Sequence, residues 1–121
     1  METKLYNLDI LKITTEDDTD FLVKILTTFL INNKEMIAKL QISYQENRLI
    51  DIGDAAHKML GSYKHLEINS TIKQLTELET LSVGKTLEKQ LIKDYIDRIT
   101  IDSEKVFEGL ESEIVEINAH K

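Results

Sequence analysis

His57 sits in the stretch Asp51-Ile52-Gly53-Asp54-Ala55-Ala56-His57-Lys58-Met59-Leu60-Gly61-Ser62-Tyr63-Lys64-His65-Leu66, which reads as a helix. Ile52, Ala56, Met59 and Tyr63 recur at helical spacing and define its buried face. His57 lies about 100° round from Ala56, at the edge of that face, partly exposed and anchored by the core beside it. The residues one turn before and one turn after it are both glycine, Gly53 and Gly61. A glycine inside a helix costs about 1 kcal/mol relative to alanine, so two of them around one histidine imply a purpose other than packing. The purpose they suggest is docking clearance, a helix surface stripped of side chains so that another protein can approach the imidazole. The chemistry is nucleophilic. A neutral ring nitrogen attacks phosphorus, and an imidazole of ordinary pKa, near 6.5, is about three-quarters neutral at pH 7 without help from a base.

The local charge agrees. The chain carries 22 acidic and 15 basic residues, for a formal net charge of −7, yet Ala55 to Leu66 contains no acid and two lysines. Lys64, seven residues after His57, lies nearly on the same face, and helical side chains lean toward the N-terminus. Lys58 or Lys64 would then support a phosphorylated ring by pairing with its oxygens. An ordinary solvated face is the plainer reading of the same lysines. Tyr63 reads as core, Asp51, Asp54 and Glu67 as surface charge, and Ser62 as a rim residue. Asp54, one turn before His57, is also within reach of a hydrogen bond to the ring.

Other chemistries find little footing. Cysteine is absent, which removes disulfides and thiol catalysis and suits a reducing cytoplasm. His57 and His65 are eight residues apart, two turns where a helical metal pair needs one, and His120 stands alone. No metal or other cofactor is expected. There is no carboxylate cluster for Mg²⁺ and no glycine-rich phosphate loop, so the chain is expected to carry a phosphoryl group without taking it from ATP itself. An acidic surface with no arginine stripe repels nucleic acid. No apolar run approaches the roughly 18 residues of a membrane span, and Met1 to Asp9 lacks the layout of a signal peptide. A cytoplasmic protein with protein partners is expected.

The elements that must position His57 are helical. Proline is absent and glycine occurs only at positions 53, 61, 84 and 109, so long helices run uninterrupted. A short segment from about Lys4 to Lys12 carries Leu5, Leu8 and Leu11 on one face. Thr14 to Asp18 form an acidic N-cap. A long helix follows to about Asn47, its stripe made of Phe21, Leu22, Ile25, Phe29, Met36 and Leu40, with Asn32 and Asn33 at a solvated edge. The third helix spans about Arg48 to His65. Asn69-Ser70 caps a fourth, with Ile72, Leu75, Leu78 and Leu81 inward, ending at Ser82-Val83-Gly84. A fifth starts near Lys85, its inner face Leu87, Leu91, Tyr95, Ile99, Asp102, Val106 and Leu110. Ile96 to Ile101 alternates like a strand, which predicts a local bend. Gly109 reads as an irregularity and the tail after Glu116 as frayed. The expected fold is all-α: one domain over residues 1–121, an antiparallel up-down-up-down four-helix bundle with a short additional N-terminal helix. With no apolar stripe left over, a monomer is expected.

Ala55-Ala56-His57-Lys58-Met59-Leu60-Gly61-Ser62-Tyr63 resembles the active helix of histidine-containing phosphotransfer (HPt) domains, whose pattern is an alanine, the phospho-accepting histidine, two residues, a lysine and a glycine. The likeness covers nearly the whole chain, with Leu8 to Leu11, the acidic cap, Phe29 in the long helix and Leu75 to Glu79 where such domains have their elements. Two positions differ: Leu60 stands where the family has its lysine, and Glu67 where a second glycine is common. The resemblance implies that His57 is the phosphoacceptor, through the ring nitrogen farther from the backbone, and that Gly61 is the clearing glycine. It implies a phosphorelay carrier rather than an enzyme. The partners would be receiver domains of hybrid sensor histidine kinases and response regulators, with Mg²⁺ held by the receiver. The alternative expectation is a helical adaptor that docks receivers or kinases without being phosphorylated.

Overall fold

The computed structural model describes residues 5–84 and 88–120. They form five helices: α1 (Asp9–Thr14), α2 (Thr19–Gln45), α3 (Leu49–His65), α4 (Asn69–Ser82) and α5 (Lys89–Ala119). Among the described residues there is no strand, so the chain is all-α. Helix α2 packs on α3, α3 on α4, α4 on α5, and α5 back on α2.

The connections are short, and left-handed residues turn the chain: Glu16 and Asp17 before α2, Asn47 before α3, and Glu67 before α4, at φ between 50° and 61°. A left-handed backbone costs a non-glycine residue about 1–2 kcal/mol. Glu67 therefore occupies a position where glycine would be the cheaper residue. Asp18 caps α2, its carboxylate accepting from the Phe21 N–H at 3.1 Å. Asn69 and Ser70 do not cap α4; buried Ile68 holds the N-cap position without a side-chain hydrogen bond.

Three aromatic rings from three helices meet at the centre. Phe29 of α2 lies 5.3 Å from Tyr63 of α3 and 6.3 Å from Phe107 of α5, centroid to centroid. The buried face expected for α3 is the one observed, since Ile52, Ala56, Met59 and Tyr63 are all at most 2 % exposed. The other stripes are rotated. On α2 the buried arc is Leu22, Leu26, Phe29, Leu30, Asn33, Ile37 and Leu40, while Phe21 is 48 % exposed and Ile25 and Met36 are half-buried. Asn33 is inside, not at a solvated edge: its amide donates to the Phe29 carbonyl at 2.9 Å and to Ser62 Oγ at 3.1 Å. On α5, Ile92, Ile96, Ser103 and Phe107 join Ile99, Val106 and Leu110, whereas Leu91 is exposed and Tyr95 and Asp102 are half-buried. The expected start at Lys85 and the inward Leu87 lie outside the described residues. On α4, Leu75 and Leu78 are buried with Thr71 and Ser82, and Ile72 and Leu81 are half-buried.

Three local expectations are corrected outright. Helix α5 runs unbroken through Ile96–Ile101 and on to Ala119, because its core face continues past Leu110 to the partly buried Ile114 and Ile117. Gly109 is a packing position: a Cβ there would lie 2.7 Å from Cε1 of Tyr6. The Tyr6 hydroxyl donates to Glu113 at 3.3 Å, which ties the N-terminal segment to α5.

Tyr63 also shares a buried hydrogen bond with Ser103 at 2.7 Å. Burial pushes its hydroxyl well above the usual value of 10, and the Ser103 bond lowers it only in part. The folded ring thus keeps its proton where the unfolded ring loses it. This contribution to stability is full below about pH 10 and is lost as pH rises beyond it, by up to about 1.4 kcal/mol per pH unit. Tyr63→Phe is expected to cost about 1 kcal/mol near neutrality through the lost hydrogen bond. The gap between wild type and variant in urea titrations should close as pH rises from 9 to 11. A gap constant with pH would refute the assignment.

Candidate functional site

Helix α3 presents its outer ridge to solvent between α2 and α4. His57 stands on that ridge with 76 % of its side chain exposed. The core beside it, Ala55, Ala56 and Leu60, is buried, so the backbone under the imidazole is held while the ring projects.

The ring is not free to rotate at will. Nδ1 lies 2.8 Å from a carboxylate oxygen of Glu79 on α4. A carboxylate only accepts, so Nδ1 carries the hydrogen, and in the neutral ring Nε2 then holds the lone pair. The site is therefore an exposed imidazole whose Nδ1 is bonded to Glu79 and whose Nε2 has no protein partner among the described residues.

Glu79 is the residue of the candidate site that sequence reading did not place beside His57. It is 22 positions from His57, on another helix. The one signal for it is register. His57 lies eleven residues before Ile68 and Glu79 eleven after, so a helical hairpin folded about the Leu66–Ile68 connection brings them level. Asp54, the partner considered from sequence, makes no hydrogen bond or ion pair with the ring.

The two glycines part company. Gly61 is exposed and a Cβ built on it would meet nothing within 4 Å, so this position does leave open space beside His57. Gly53 is buried, and a Cβ there would collide with Ser82 Oγ and lie 3.0 Å from Ser82 Cβ. The docking clearance expected at Gly53 is thus corrected to helix packing: α3 and α4 approach so closely that only glycine fits. The Ser82 hydroxyl is itself fixed, donating to the Glu79 carbonyl at 2.6 Å. That close approach brings Glu79 within reach of His57.

Lys58 and Lys64 are both exposed, and neither has an acidic partner within 4.0 Å among the described residues. They point to different places. Lys64 shares the ridge with His57, about 10 Å further along the helix axis, with open Gly61 between them. Lys58 faces α2, where it lines a groove of about 600 Å³ with Ser62 and His65. The opposite wall of the groove is Phe21, Ile25 and Met36, and Leu11 of α1 and Leu66 close its end. His57 does not line it. The basis for expecting a monomer, that the closed core leaves no apolar surface over, does not hold, because these rotated α2 residues leave an apolar face open.

Among the described residues no group of three or more histidine and acidic side chains is arranged to hold a metal ion. No helix of the described residues is long and apolar enough to cross a membrane. No family model, curated protein or solved structure matches the chain.

Proposed function

We propose that this chain is a cytoplasmic phosphocarrier of a multistep phosphorelay, an HPt-like domain whose four long helices form an antiparallel up-down-up-down bundle with α1 as the short additional helix. The bundle reading is supported by the register of its contacts. As α2 advances from Lys34 to Gln41, its partners on α5 step back from Glu111 to Thr100. Gly53 and His57 likewise meet Ser82 and Glu79 in reverse order.

The observation that carries the functional reading is the His57 imidazole, 76 % exposed, with Nδ1 hydrogen-bonded to Glu79 and Nε2 open. A nitrogen lone pair held outward beside the cleared surface at Gly61 is what in-line attack on a phospho-aspartate needs. The phospho-aspartate would belong to a receiver domain, which also holds the Mg²⁺. A second receiver would take the phosphoryl group away. The chain has no ATP-dependent kinase activity in this reading. The test is to mix the protein with a phosphorylated receiver and Mg²⁺ and follow acid-labile label. Label must appear on His57 and chase onto a second receiver; no label with any of several docking receivers overturns the carrier reading.

The missing family lysine at Leu60 is supplied, on this reading, from Lys64. Leu60 is only 9 % exposed, whereas Lys64 is free to swing over Gly61 toward a phosphoryl group on Nε2. Lys64→Ala is expected to slow transfer by about threefold to tenfold, the worth of one charge-assisted contact at an exposed site. An unchanged transfer rate and phosphohistidine lifetime would remove Lys64 from the site.

A second reading is favoured by the groove, which is apolar and does not include His57. It is an adaptor that docks receiver or kinase domains along Phe21, Ile25 and Met36 without being phosphorylated. An adaptor signals with glutamine at position 57; a carrier does not.

A further inference from the structure

Phosphoryl transfer to a ring nitrogen changes the charge of the ring, and Glu79 is placed to respond to it. The ring begins neutral, with hydrogen on Nδ1 and a lone pair on Nε2. As the Nε2–P bond forms, the P–O bond to the receiver's aspartyl carboxylate breaks, and that carboxylate leaves with the bonding pair. The product ring is an imidazolium, with the phosphoryl group on Nε2 and the original hydrogen on Nδ1. Its positive charge faces the Glu79 carboxylate at 2.8 Å. No proton need enter or leave in either direction.

We infer that Glu79 is a positioning residue that holds the Nδ1 hydrogen throughout transfer, so that phospho-His57 is kept as a reactive imidazolium in transit rather than as a stable store. The inference rests on the phosphocarrier reading and adds the residue that sets its intermediate's lifetime. An imidazolium expels a neutral ring when the N–P bond breaks. A phosphoimidazole that has lost its Nδ1 hydrogen must expel an imidazolate anion, a far poorer leaving group. Glu79 favours the first, because its carboxylate stabilises the charged ring through a charge-assisted hydrogen bond.

The rest of the surroundings do not replace it. On α3 the other charged side chains are Asp51, Asp54, Lys58 and Lys64, with His65 two turns on; neither carboxylate pairs with the ring, and neither lysine is hydrogen-bonded to it. On α4 the residues one turn from Glu79, namely Leu75, Thr76 and Ser82, carry no charge. From α2, Glu35 faces the groove beyond Lys58. Glu79 is itself held, since Ser82 on the next turn donates to its carbonyl and packs on Gly53.

The experiment needs no receiver. The protein and its variants are phosphorylated chemically with phosphoramidate, and the phosphohistidine lifetime at pH 8 is followed by ³¹P NMR. The ring tautomer before phosphorylation is read by ¹⁵N NMR, with His57 signals identified by their loss in His57→Gln. Wild type should show the Nδ1–H tautomer. Glu79→Ala should mix the tautomers and lengthen the phospho-His57 lifetime by about threefold to tenfold, following the fall in the protonated fraction. Glu79→Gln keeps an accepting oxygen without the charge. It should preserve the tautomer and still lengthen the lifetime, which a merely structural role would not do. A wild-type ring mainly in the Nε2–H form, or equal lifetimes in wild type and Glu79→Ala, overturns the inference. Lifetimes that shift as expected while no receiver transfers label would sink the carrier reading and leave the Glu79 assignment standing.

Discussion

His57→Gln is expected to reduce phosphoryl acceptance from any receiver to the assay background, with the fold intact. Glutamine has no nucleophilic nitrogen, and the reaction has no substitute nearby. His65 is on the same helix but faces the groove, two turns on, and His120 is at the far end of α5. Neither has a carboxylate partner among the described residues to hold one tautomer. The stability change should be within about 0.5 kcal/mol, since the side chain is exposed and a glutamine amide still donates to Glu79. A melting curve beside the transfer assay separates the two effects. Label retained on the variant would place the acceptor elsewhere. Full loss of label with unchanged groove binding would show that docking and chemistry reside in adjacent, separable surfaces.

The second large effect is a contrast between two glycines that look equivalent in the sequence. Gly53→Val should destabilise the protein by about 3 kcal/mol, the upper range for overpacking a filled core. The added Cβ falls on Ser82. The Ser82 hydroxyl can rotate only by giving up its bond to the Glu79 carbonyl, and the Ser82 Cβ, 3.0 Å away, cannot move without α4. Gly61→Ala should do the opposite and stabilise by about 1 kcal/mol, because the site is open and alanine is the better helix former. It should also slow receiver transfer, since it places a methyl group where a partner must approach. Urea midpoints for the two variants decide the matter. Shifts of opposite sign support packing at 53 and clearance at 61, whereas a neutral Gly53→Val would return position 53 to the docking surface.

The difference between these glycines marks where sequence reading ended. Periodicity predicts α3 correctly: its four expected residues are buried, and Ala55 and Leu60 beside them only widen the same face. Ile52, Ala56, Met59 and Tyr63 fix that face, and His57 at their edge follows. On α2 and α5 the apolar residues come in adjacent pairs, such as Phe21–Leu22, Ile25–Leu26, Leu91–Ile92 and Val106–Phe107. Two rotations about the helix axis then satisfy the spacing equally well. Each of these helices packs on two neighbours, and the broader buried arc that results left Phe21, Ile25 and Met36 to line the groove.

The amino-acid sequence by itself determined the helical class, the short turns and the exposed histidine, because each depends on residues a few positions apart: no proline, a 3.6-residue apolar period, a capping aspartate at Asp18. Only the tertiary structure decided what His57 is bonded to and why Gly53 is glycine. Both depend on the distance and register between α3 and α4. That register is set by the packing of Tyr63, Leu75 and Leu78 in the core and by the turn at Glu67, over a separation at which no local pattern carries information.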